Sequence, residues 1–471
     1  MNYHGHNNDT ICALSTASGA GAIAVIRISG PKALETASGI FSKDLTAVQS
    51  HTAHFGRILN AEKEIIDEVL ITVLLEGKSF TGEHTVEIAC HGSVFIQQQI
   101  LQLLIRNGCR MAEPGEFTMR AFLNGKMDLS QAEAVADLIA SQSRKAHEIA
   151  MNQMRGGFSS ELRLLREKLI HFASLVELEL DFAEEDVEFA DRTELKLLVE
   201  EVLTYIRRLM SSFELGNAIK HGVPVAIVGA PNTGKSTLLN QLLGEERAIV
   251  SNIEGTTRDV IEETLNIEGI LFRLIDTAGI REGAEAIEAI GIEKSREKIR
   301  QAQLVILMSD FSDSGSLEEG HKSMDTFETA AWSDELLSEF PDKRFIVLGN
   351  KLDLRAVPVN DLIWPSAVSM LPVSAKTGEG IPELKAWLVE QITAGFDTGQ
   401  DTIISNARHL EALEKSAFSL EQARTGLETN VTGDFVAMDI RQAMFHLGSI
   451  TGDISTDDLL GNIFSKFCIG K

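Results

Sequence analysis

The stretch PVAIVGAPNTGKS at residues 224–236 decides the fold of the segment that contains it. Its apolar first half is typical of a buried strand, and TLLNQLL, which follows it, has the spacing of a helix. Gly229, Gly234, Lys235 and Ser236 match the pattern GxxxxGK[ST] in the strand–loop–helix context that this pattern requires. The glycines let backbone N–H groups turn toward phosphates, Lys235 supplies a positive charge, and the Ser236 hydroxyl can ligate Mg²⁺. The stretch therefore predicts a phosphate-binding loop.

Three later motifs predict that the bound nucleotide carries guanine. They are Asp276-Thr277-Ala278-Gly279 after FRLI, Asn350-Lys351-Leu352-Asp353 after FIVLG, and Ser374-Ala375-Lys376 after LPV. The Asp353 carboxylate can accept hydrogens from N1 and the exocyclic amine of guanine, whereas adenine offers neither donor there. Asp276 can hold Mg²⁺ through water, and Gly279 can contact the γ-phosphate of GTP. The order and spacing of these motifs resemble those of translation-factor-like GTPases.

The segment around these motifs, residues 219–391, has the pattern of a parallel doubly wound sheet. Strand-like runs such as FRLID, QLVILM and RFIVLGN alternate with helical stretches. In Ras-like GTPases a glutamine follows the DxxG motif and orients the attacking water. Here that position is Ile280, whose apolar side chain cannot do so. Glu282, Glu285 and Glu288 lie nearby, and the residues alone favour ordinary surface carboxylates over a water-orienting role.

The rest of the chain divides into a mixed N-terminal segment and two helical segments. Residues 1–122 contain the strand-like runs AIAVIRI, VLITVLL and TVEIACHG, and residues 123–218 and 392–471 are helical in pattern. One apolar stripe consists of Leu162, Leu165, Leu169, Phe172 and Val176. We therefore expect a multidomain α/β protein, with an N-terminal α+β domain and a helical domain into which the P-loop α/β domain is inserted. The acid-rich residues 310–342 are expected to form a solvated surface insertion.

Composition narrows the class of protein. Hydrophobic residues make up 44% of the chain and charged residues 24%, as in ordinary globular domains, and the formal net charge is −26. The acidic balance argues against nucleic-acid binding driven by bulk charge. The four cysteines, Cys12, Cys90, Cys109 and Cys468, form no CxxC pair, which favours reduced thiols over a disulfide framework or a zinc site. A signal-peptide pattern and a membrane-spanning apolar run are both absent, so we expect a cytoplasmic protein without membrane attachment.

Several stretches resemble one known family. The phosphate loop with Asn232, the segment GTTRD at residues 255–259, and the final residues Cys-Ile-Gly-Lys at 468–471 are together distinctive. They resemble the bacterial and organellar tRNA modification GTPases of the MnmE (TrmE) family. The resemblance covers essentially the full length, including ALSTASGAGAIAVIRISG at residues 13–30 and PGEFTMRAFLNGKMDLSQAEAVADLI at residues 114–139.

For the GTPase domain, the resemblance implies a homodimer whose nucleotide faces meet when K⁺ is bound, the ion acting in place of an arginine finger. The matching K⁺ ligands are Asn232, Ser251, Ile253 and Thr256, and Thr257 completes the Mg²⁺ shell with Ser236. The family's catalytic glutamate falls on Glu288, which reverses the interpretation from the residues alone. The full set of GTP positions adds Thr233, Gly234, Lys235, Thr237, Asn252, Glu254 and Gly255 to the motifs named above.

For the N-terminal domain, the resemblance implies folate binding and dimerisation. The positions that match contacts to formyl-tetrahydrofolate are Arg27, Glu87 and Lys126, with Lys471 assigned alongside them. A carboxylate suits the donors of a pterin, and cations suit the glutamate tail of folate. The residues alone would make Arg27 and Glu87 solvent-facing strand residues. Cys468 is either an exposed thiol or a catalytic residue near the folate, and both readings stay open.

The resemblance also implies partners. With an FAD-dependent subunit, MnmG (GidA), the family forms a heterotetramer that installs a carboxymethylaminomethyl or aminomethyl group at C5 of the tRNA wobble uridine. Folate supplies the one-carbon unit, and the flavin must come from the partner because this chain has no FAD fingerprint. The alternative is a K⁺-activated switch GTPase for RNA or ribosome assembly without modification chemistry. A membrane-remodelling GTPase is a third class, but the C-terminal helices lack the required amphipathic or basic pattern.

Overall fold

The chain forms two compact units in this computed structural model. One comprises residues 1–139, 152–203 and 412–471, and the other comprises residues 140–151 and 204–411. The structure describes residues 9–181, 192–246, 263–275, 288–312, 324–354, 367–393, 396, 402–429 and 431–470, except for the side chains of 175–181, 245–246, 288–294, 324–328 and 457–458. Among the helices so described, none is long and apolar enough to span a lipid bilayer.

The first unit opens with a six-stranded sheet. Its strands are β1 (Ile11–Leu14), β2 (Ile23–Ser29), β3 (Thr52–Leu59), β4 (Ile65–Leu74), β5 (Thr85–His91) and β6 (Arg110–Met111), in the spatial order β3-β4-β5-β2-β1-β6. All neighbours are antiparallel except β1 and β6. Three of these strands contain the runs that the sequence predicted as strands. Strands β1, β3 and β6 were not predicted.

The two faces of this sheet are covered differently. Helices α1 (Ala33–Ile40) and α2 (Val94–Arg106) cover one face, where Ile26, Ile88 and Leu104 join one apolar core. On the opposite face, Phe117 of α3 (Glu116–Leu123) packs with Ile11 and Ala13 at the β1 end. Toward β3 that opposite face remains open.

The open part of the sheet presents large apolar side chains to solvent. The strand register places Phe55 opposite Leu70, Leu70 opposite Ala89, and Ala89 opposite Val25. Phe55, Leu70 and Ile23 are exposed. Apolar exposure on a contiguous sheet face is typical of an interaction surface, and this one also carries Arg27 and Glu87.

After α3, the described residues form α4 (Leu129–Ala140), α5 (Arg144–Met154), α6 (Gly157–Asp181), α7 (Arg192–Ser211) and α8 (Phe213–His221). Helix α8 belongs to the second unit, as does most of α5. These helices confirm the predicted helical texture of the middle segment. Leu162, Leu165 and Leu169 of the predicted stripe are buried, and Phe172 is half-buried. The side chain of Val176 lies outside the described residues.

The second unit is built on a six-stranded sheet. Its strands are β7 (Val223–Gly229), β8 (Glu263–Ile267), β9 (Ile270–Leu274), β10 (Leu304–Asp310), β11 (Arg344–Asn350) and β12 (Met370–Pro372), in the order β12-β11-β10-β7-β9-β8. Besides α8, which joins one of its cores, the described helices around this sheet are α9 (Lys235–Glu246), α10 (Glu288–Gln301), α11 (Met324–Glu339) and α12 (Ile381–Thr393). All strands are parallel except the edge strand β8, and separate apolar cores lie on the two faces. The predicted doubly wound sheet is confirmed.

The described residues of the acid-rich segment 310–342 do not form the solvated insertion that their composition suggested. Asp310 ends β10, and residues 324–339 form α11, whose Leu336 is buried in the core on one sheet face. Ala330 and Ser333 are buried beside it, so one stripe of α11 faces the sheet. Glu335 and Glu339 lie on the outer side, where they pair with Arg296. Residues 313–323 lie outside the described part of the chain.

The chain ends with three helices: α13 (Ala407–Glu428), α14 (Gly433–Thr451) and α15 (Asp457–Phe464). Helix α14 packs along α6, and Leu460, Ile463 and Phe464 of α15 share a core with Met119 and Leu129. The terminal tail then returns to the first sheet, where Ile469 forms a β-bridge with Pro114. Mixed sheet and helix in separate units confirm the multidomain α/β class.

Candidate functional site

The phosphate-binding loop lies between β7 and α9. Gly229 ends the strand and Lys235 begins the helix. Gly234 has a φ of +99°, and a Cβ there would lie 2.2 Å from Nδ2 of Asn350. Only glycine fits this position, because any side chain would strain the backbone and clash with the amide of Asn350. The N-terminal end of α9 thus follows the loop directly, and a helix N-terminus is an arrangement that favours a bound anion.

The Lys235 ammonium lies over the loop. Its Nζ donates to the carbonyl oxygens of Gly229 and Ala230, at 2.9 Å and 2.6 Å. Burial, followed by the positive charge of Lys298, lowers the pKa of Lys235 from its ordinary value. An anion at the loop would oppose both effects and favour the charged ammonium.

The side chain of Asn350 connects this loop to the segments that follow β11 and β12. Its Nδ2 donates to the carbonyl of Thr233 at 2.7 Å, and its Oδ1 accepts from the N–H of Ala375 at 2.9 Å. Asn350 is 3% exposed, so both bonds are shielded from water. The structure therefore brings together the phosphate loop, the NKLD segment and the SAK segment, which the sequence placed in one site.

The base-reading residues lie beside that connection. Oγ of Ser374 donates to Oδ1 of Asp353 at 2.7 Å, while the Asp353 residue itself is exposed. Lys351 has a φ of +67° and forms an ion pair with Asp310. Leu352 donates its N–H to the carbonyl of Val373 at 3.2 Å. These contacts hold the NKLD turn against the strand ends.

The structure describes several predicted GTP and metal positions only in part, and others not at all. Asn232 has a φ of +63° and is exposed, as are Ser236, Thr237 and Lys376. The backbone of Glu288 begins α10, and its side chain lies outside the described residues. The described residues do not include the predicted positions Ser251, Asn252, Ile253, Glu254, Gly255, Thr256, Thr257, Asp276, Thr277, Ala278, Gly279 and Lys471.

Arg27 and Glu87 face each other across two strands of the first sheet. They are register partners on β2 and β5, and the Arg27 guanidinium lies 2.9 Å from Oε1 of Glu87. Their side chains are 20% and 30% exposed. The guanidinium carbon also lies 5.9 Å and 5.6 Å from the ring centres of Phe80 and Phe117. The two residues thus form a half-buried ion pair between aromatic rings, and not two independent surface charges.

Lys126 lies at the edge of the same region. Its Nζ donates to the carbonyl of Gly77 at 3.0 Å, and its side chain passes close to Gly82. Asn124 donates to the carbonyl of Thr81 at 2.7 Å. The residues after α3 therefore hold the loop that carries Phe80.

Cys468 is exposed, whereas Cys12, Cys90 and Cys109 are buried, and all four are free thiols. Gly115 donates its N–H to the Cys468 carbonyl at 3.3 Å. Ser15 donates its hydroxyl to the Gly470 carbonyl at 3.2 Å. The tail is thus fixed at Cys468 and at Gly470 to segments of the first sheet's domain.

Comparison with known proteins matches this architecture along the whole chain. A model described as the GTP-binding protein TrmE N-terminus matches residues 10–126, and one described as the MnmE helical domain matches residues 129–468. The tRNA modification GTPase MnmE of Cytophaga hutchinsonii is 55% identical over 467 residues, which cover 99% of this chain and 98% of that protein. The chain belongs to the MnmE family of tRNA modification GTPases.

Membership of the MnmE family confirms the resemblance seen in the sequence motifs. The MnmE of Christiangramia forsetii is 52% identical, with 98% of this chain and 99% of that protein covered. Among solved structures, the G domain of the T. maritima FeoB iron transporter aligns with 36% of this chain and 97% of its own, at 26% identity and a TM-score of 0.24. An overlap with so low a score adds no structural support.

One feature of this MnmE family member did not emerge from the sequence motifs. Arg120 of α3 is 1% exposed and pairs with three carboxylates, those of Asp9, Glu83 and Glu116. Burial opposes ionisation of Glu116, but bonds from Arg110 and Arg120 outweigh it, so the pKa of Glu116 is lowered. The Glu-x-x-x-Arg spacing on one helix was the only local signal, because the other two carboxylates lie far away in sequence.

Proposed function

We propose that this chain is a GTPase of tRNA wobble-uridine modification, the GTP-hydrolysing subunit of a complex that installs the C5 carboxymethylaminomethyl group. The observation that carries the proposal is the buried carboxamide of Asn350, which joins the phosphate loop to both base-reading segments. Full-length identity to proteins named tRNA modification GTPase supports the choice of RNA substrate. GTP hydrolysis then drives a change of conformation, while the carbon chemistry takes place elsewhere in the complex.

The residues at the loop fit a Mg²⁺-bound nucleotide. The exposed Ser236 hydroxyl stands in the first turn of α9, beside the Lys235 ammonium. Bound Mg²⁺ supplies charge neutralisation at the phosphates, and Ser236 and Thr257 would hold it. For K⁺, Asn232 projects from an exposed left-handed position of the loop, and Ser251, Ile253 and Thr256 would complete the shell. Glu288 would orient the attacking water in place of the missing glutamine.

Measurements of GTP hydrolysis test the K⁺ assignment and the role of Glu288 separately. Replacing K⁺ by Na⁺ at equal ionic strength should slow turnover of the full chain at least about tenfold, the scale of losing a positive charge near the phosphates. Glu288→Ala should suppress turnover and leave binding of a fluorescent GTP analogue unchanged. Glu297→Ala, farther along the same helix, is the matched control. Equal rates in both salts would remove the K⁺ assignment, and normal turnover of Glu288→Ala would remove the catalytic role.

For the N-terminal domain we infer a binding site for formyl-tetrahydrofolate. The Arg27–Glu87 pair, with Phe80 and Phe117 beside it, offers a carboxylate for pterin donors and apolar rings for a flat heterocycle. The folate supplies a one-carbon unit when bound. Lys126 and Lys471 would meet its anionic tail, and Cys468 is a candidate catalytic thiol because its flanking residues are fixed to the same domain.

Calorimetry on the full chain tests this site. Glu87→Ala should weaken binding of 5-formyl-tetrahydrofolate at least about tenfold, because a carboxylate that accepts hydrogen bonds from the ligand is lost. Glu68→Ala is the matched control, since Glu68 also forms an ion pair with an arginine of this sheet, Arg57. Equal affinities for the two variants would show that the folate lies elsewhere. Absence of saturable binding to the unaltered chain would remove the folate proposal.

The partners follow from the same proposal. The open sheet face with Phe55, Leu70 and Ile23 supports a homodimer through the N-terminal domain. An FAD-dependent MnmG (GidA) subunit would complete a heterotetramer that acts on tRNA in the cytoplasm. Deleting the gene should abolish wobble-uridine modification, measured by mass spectrometry of tRNA nucleosides. Unchanged modification would favour the alternative, a K⁺-activated RNA or ribosome-assembly switch.

A further inference from the structure

A groove lies between the last two long helices. Helices α13 and α14 pack together, with the Ser416 hydroxyl bonded to the Ala443 carbonyl at 3.2 Å. Beside this contact is a groove of about 450 Å³. Its lining residues are Glu414, Lys415, Phe418, Ser419, Gln422, Asp439, Gln442 and His446. Neither the nucleotide site nor the Arg27–Glu87 site uses any of them.

Helices α13 and α14 carry large apolar residues that the core does not need, and one of them, Phe418, lines the groove. Helix α14 already buries one stripe, which includes Val436, Ile440 and Leu447. Its outer side carries a second set of large apolar residues, with Met438 at 55% and Phe445 at 48% exposure, and Phe418 of α13 is 63% exposed. Aromatic and methionine side chains dominate the centres of protein interfaces. A helix with two apolar faces has one face available for a partner.

The groove carries a net negative charge, because the carboxylates of Glu414 and Asp439 line it together with one cation, Lys415. Within the part of the chain that the structure describes, the Asp439 carboxylate has neither a hydrogen-bond nor an ion-pair partner, and burial raises its pKa. Burial, followed by the charge of Lys415, lowers the pKa of His446, so its imidazole is neutral near pH 7. Glu414 adds a second carboxylate to the lining. An ionised carboxylate in a partly desolvated groove is complemented by a cation from outside.

We propose that this groove docks an amphipathic helix of a partner protein, with apolar residues on Phe418 and a Lys or Arg facing Asp439. The carboxylates repel the phosphates of RNA and of anionic lipids, which disfavours those occupants. A second copy of this chain is disfavoured in a symmetric groove-to-groove contact, because the carboxylates of Glu414 and Asp439 would face their own copies. The proposal is independent of the nucleotide and folate sites.

Fluorescence anisotropy with a labelled peptide tests the docking. The probe is a helical peptide of about 18 residues with Leu on one face and Lys on the other, and its counterpart carries Glu in place of Lys. At about 0.15 M salt the full chain should bind the Lys peptide saturably and the Glu peptide at least about tenfold more weakly. Phe418→Ala and Asp439→Asn should each weaken binding about tenfold. Leu197→Ala and Asp434→Asn, exposed residues outside the groove, should change it less than about twofold.

Other outcomes overturn the proposal. Equal binding by Asp439→Asn and Asp434→Asn would show only attraction to an acidic protein, and lack of saturable binding would leave the groove without this occupant. Binding of single-stranded RNA or anionic vesicles that Phe418→Ala abolishes would assign the groove to a phosphate-bearing partner. A shift of oligomeric state in Phe418→Ala would assign it to a second copy. Asp439→Asn should keep or raise the thermal midpoint, whereas a lowered midpoint would indicate a structural carboxylate.

Discussion

The carboxamide of Asn350 joins three segments that lie far apart in the chain. Its two ends hold Thr233 of the phosphate loop and Ala375 of the SAK segment, 117 and 25 positions away. The amide occupies the space that a side chain on Gly234 would need. The phosphate loop and the segments predicted to recognise the base are therefore joined by one buried group.

Asn350→Ala should uncouple the two halves of the nucleotide site. It leaves a backbone carbonyl and an N–H unpaired in a buried place, which costs about 1–3 kcal/mol. We expect GTP affinity to fall at least about tenfold, measured by titration with a fluorescent GTP analogue. Asn266→Ala is the matched control, because Asn266 also bonds a backbone N–H but in the β8–β9 turn. Similar losses in both variants would contradict a specific role of Asn350.

Single residues of the site were predictable where the chemistry is contiguous. Lys235, Asp353 and their neighbours stand in short motifs after strands, so spacing alone placed them together. Arg120 was not predictable in this way, since its partners Asp9 and Glu83 lie 111 and 37 positions away. Only the topology of the first sheet brings them into contact.

Among the structural elements, the C-terminal tail depends most on one residue. Gly470 has a φ of +98°, and a Cβ there would lie 2.2 Å from the carbonyl oxygen of Leu14. Leu14 belongs to β1, and Ser15 beside it donates to the Gly470 carbonyl. The tail therefore lies in direct backbone contact with the edge of the N-terminal sheet.

Gly470→Ala should release this tail. Gly108→Ala is the matched control, because Gly108 has a φ of +96° with open space around it, so both variants carry similar backbone strain. We expect faster hydrogen exchange at Gly115, whose amide is bonded to Cys468, in Gly470→Ala alone. Mass spectrometry of peptides from residues 111–119 gives the readout. Equal exchange in the two variants would show that strain, and not the clash, sets the effect.

Element types followed from the sequence wherever one pattern dominated. The β-branched runs gave β2, β4 and β5, and the apolar stripes gave the long helices. Helix α11 was missed because its acidic residues hide a narrow buried stripe through Ala330, Ser333 and Leu336. Strands β1 and β6 have 4 and 2 residues, too short for a periodic signal.

At the scale of the whole molecule, both units depend on carboxylates that stay ionised. Burial raises the pKa of each carboxyl, but bonds from cationic groups, hydroxyls or N–H groups lower it by more. The pKa values of Asp9, Glu116 and Asp310 are therefore all lowered. Asp9 and Glu116 lie in the first unit and Asp310 in the second. In the unfolded chain these groups take up protons at higher pH than in the folded one.

Stability should therefore be full above about pH 4.5 and fall as pH drops through 4.5 and 3.8 toward the lowered folded values. Urea unfolding followed by circular dichroism reports on both units. Tryptophan fluorescence reports on the second alone, because Trp332, Trp364 and Trp387 all lie there. Glu116→Gln should flatten the pH dependence of the first unit only. An unchanged slope would show that this carboxyl does not control acid unfolding.

The bond between Ser15 and Gly470 joins residues 455 positions apart in the chain. This separation corresponds to a delay during synthesis. A ribosome adds roughly 5–20 residues per second, so the N-terminal sheet waits roughly 20–90 s for its last contact. During that interval the sheet, its buried arginine and its paired strands must hold together unaided. The surroundings of Cys468 therefore take shape only after the residues between the sheet and the tail have been made.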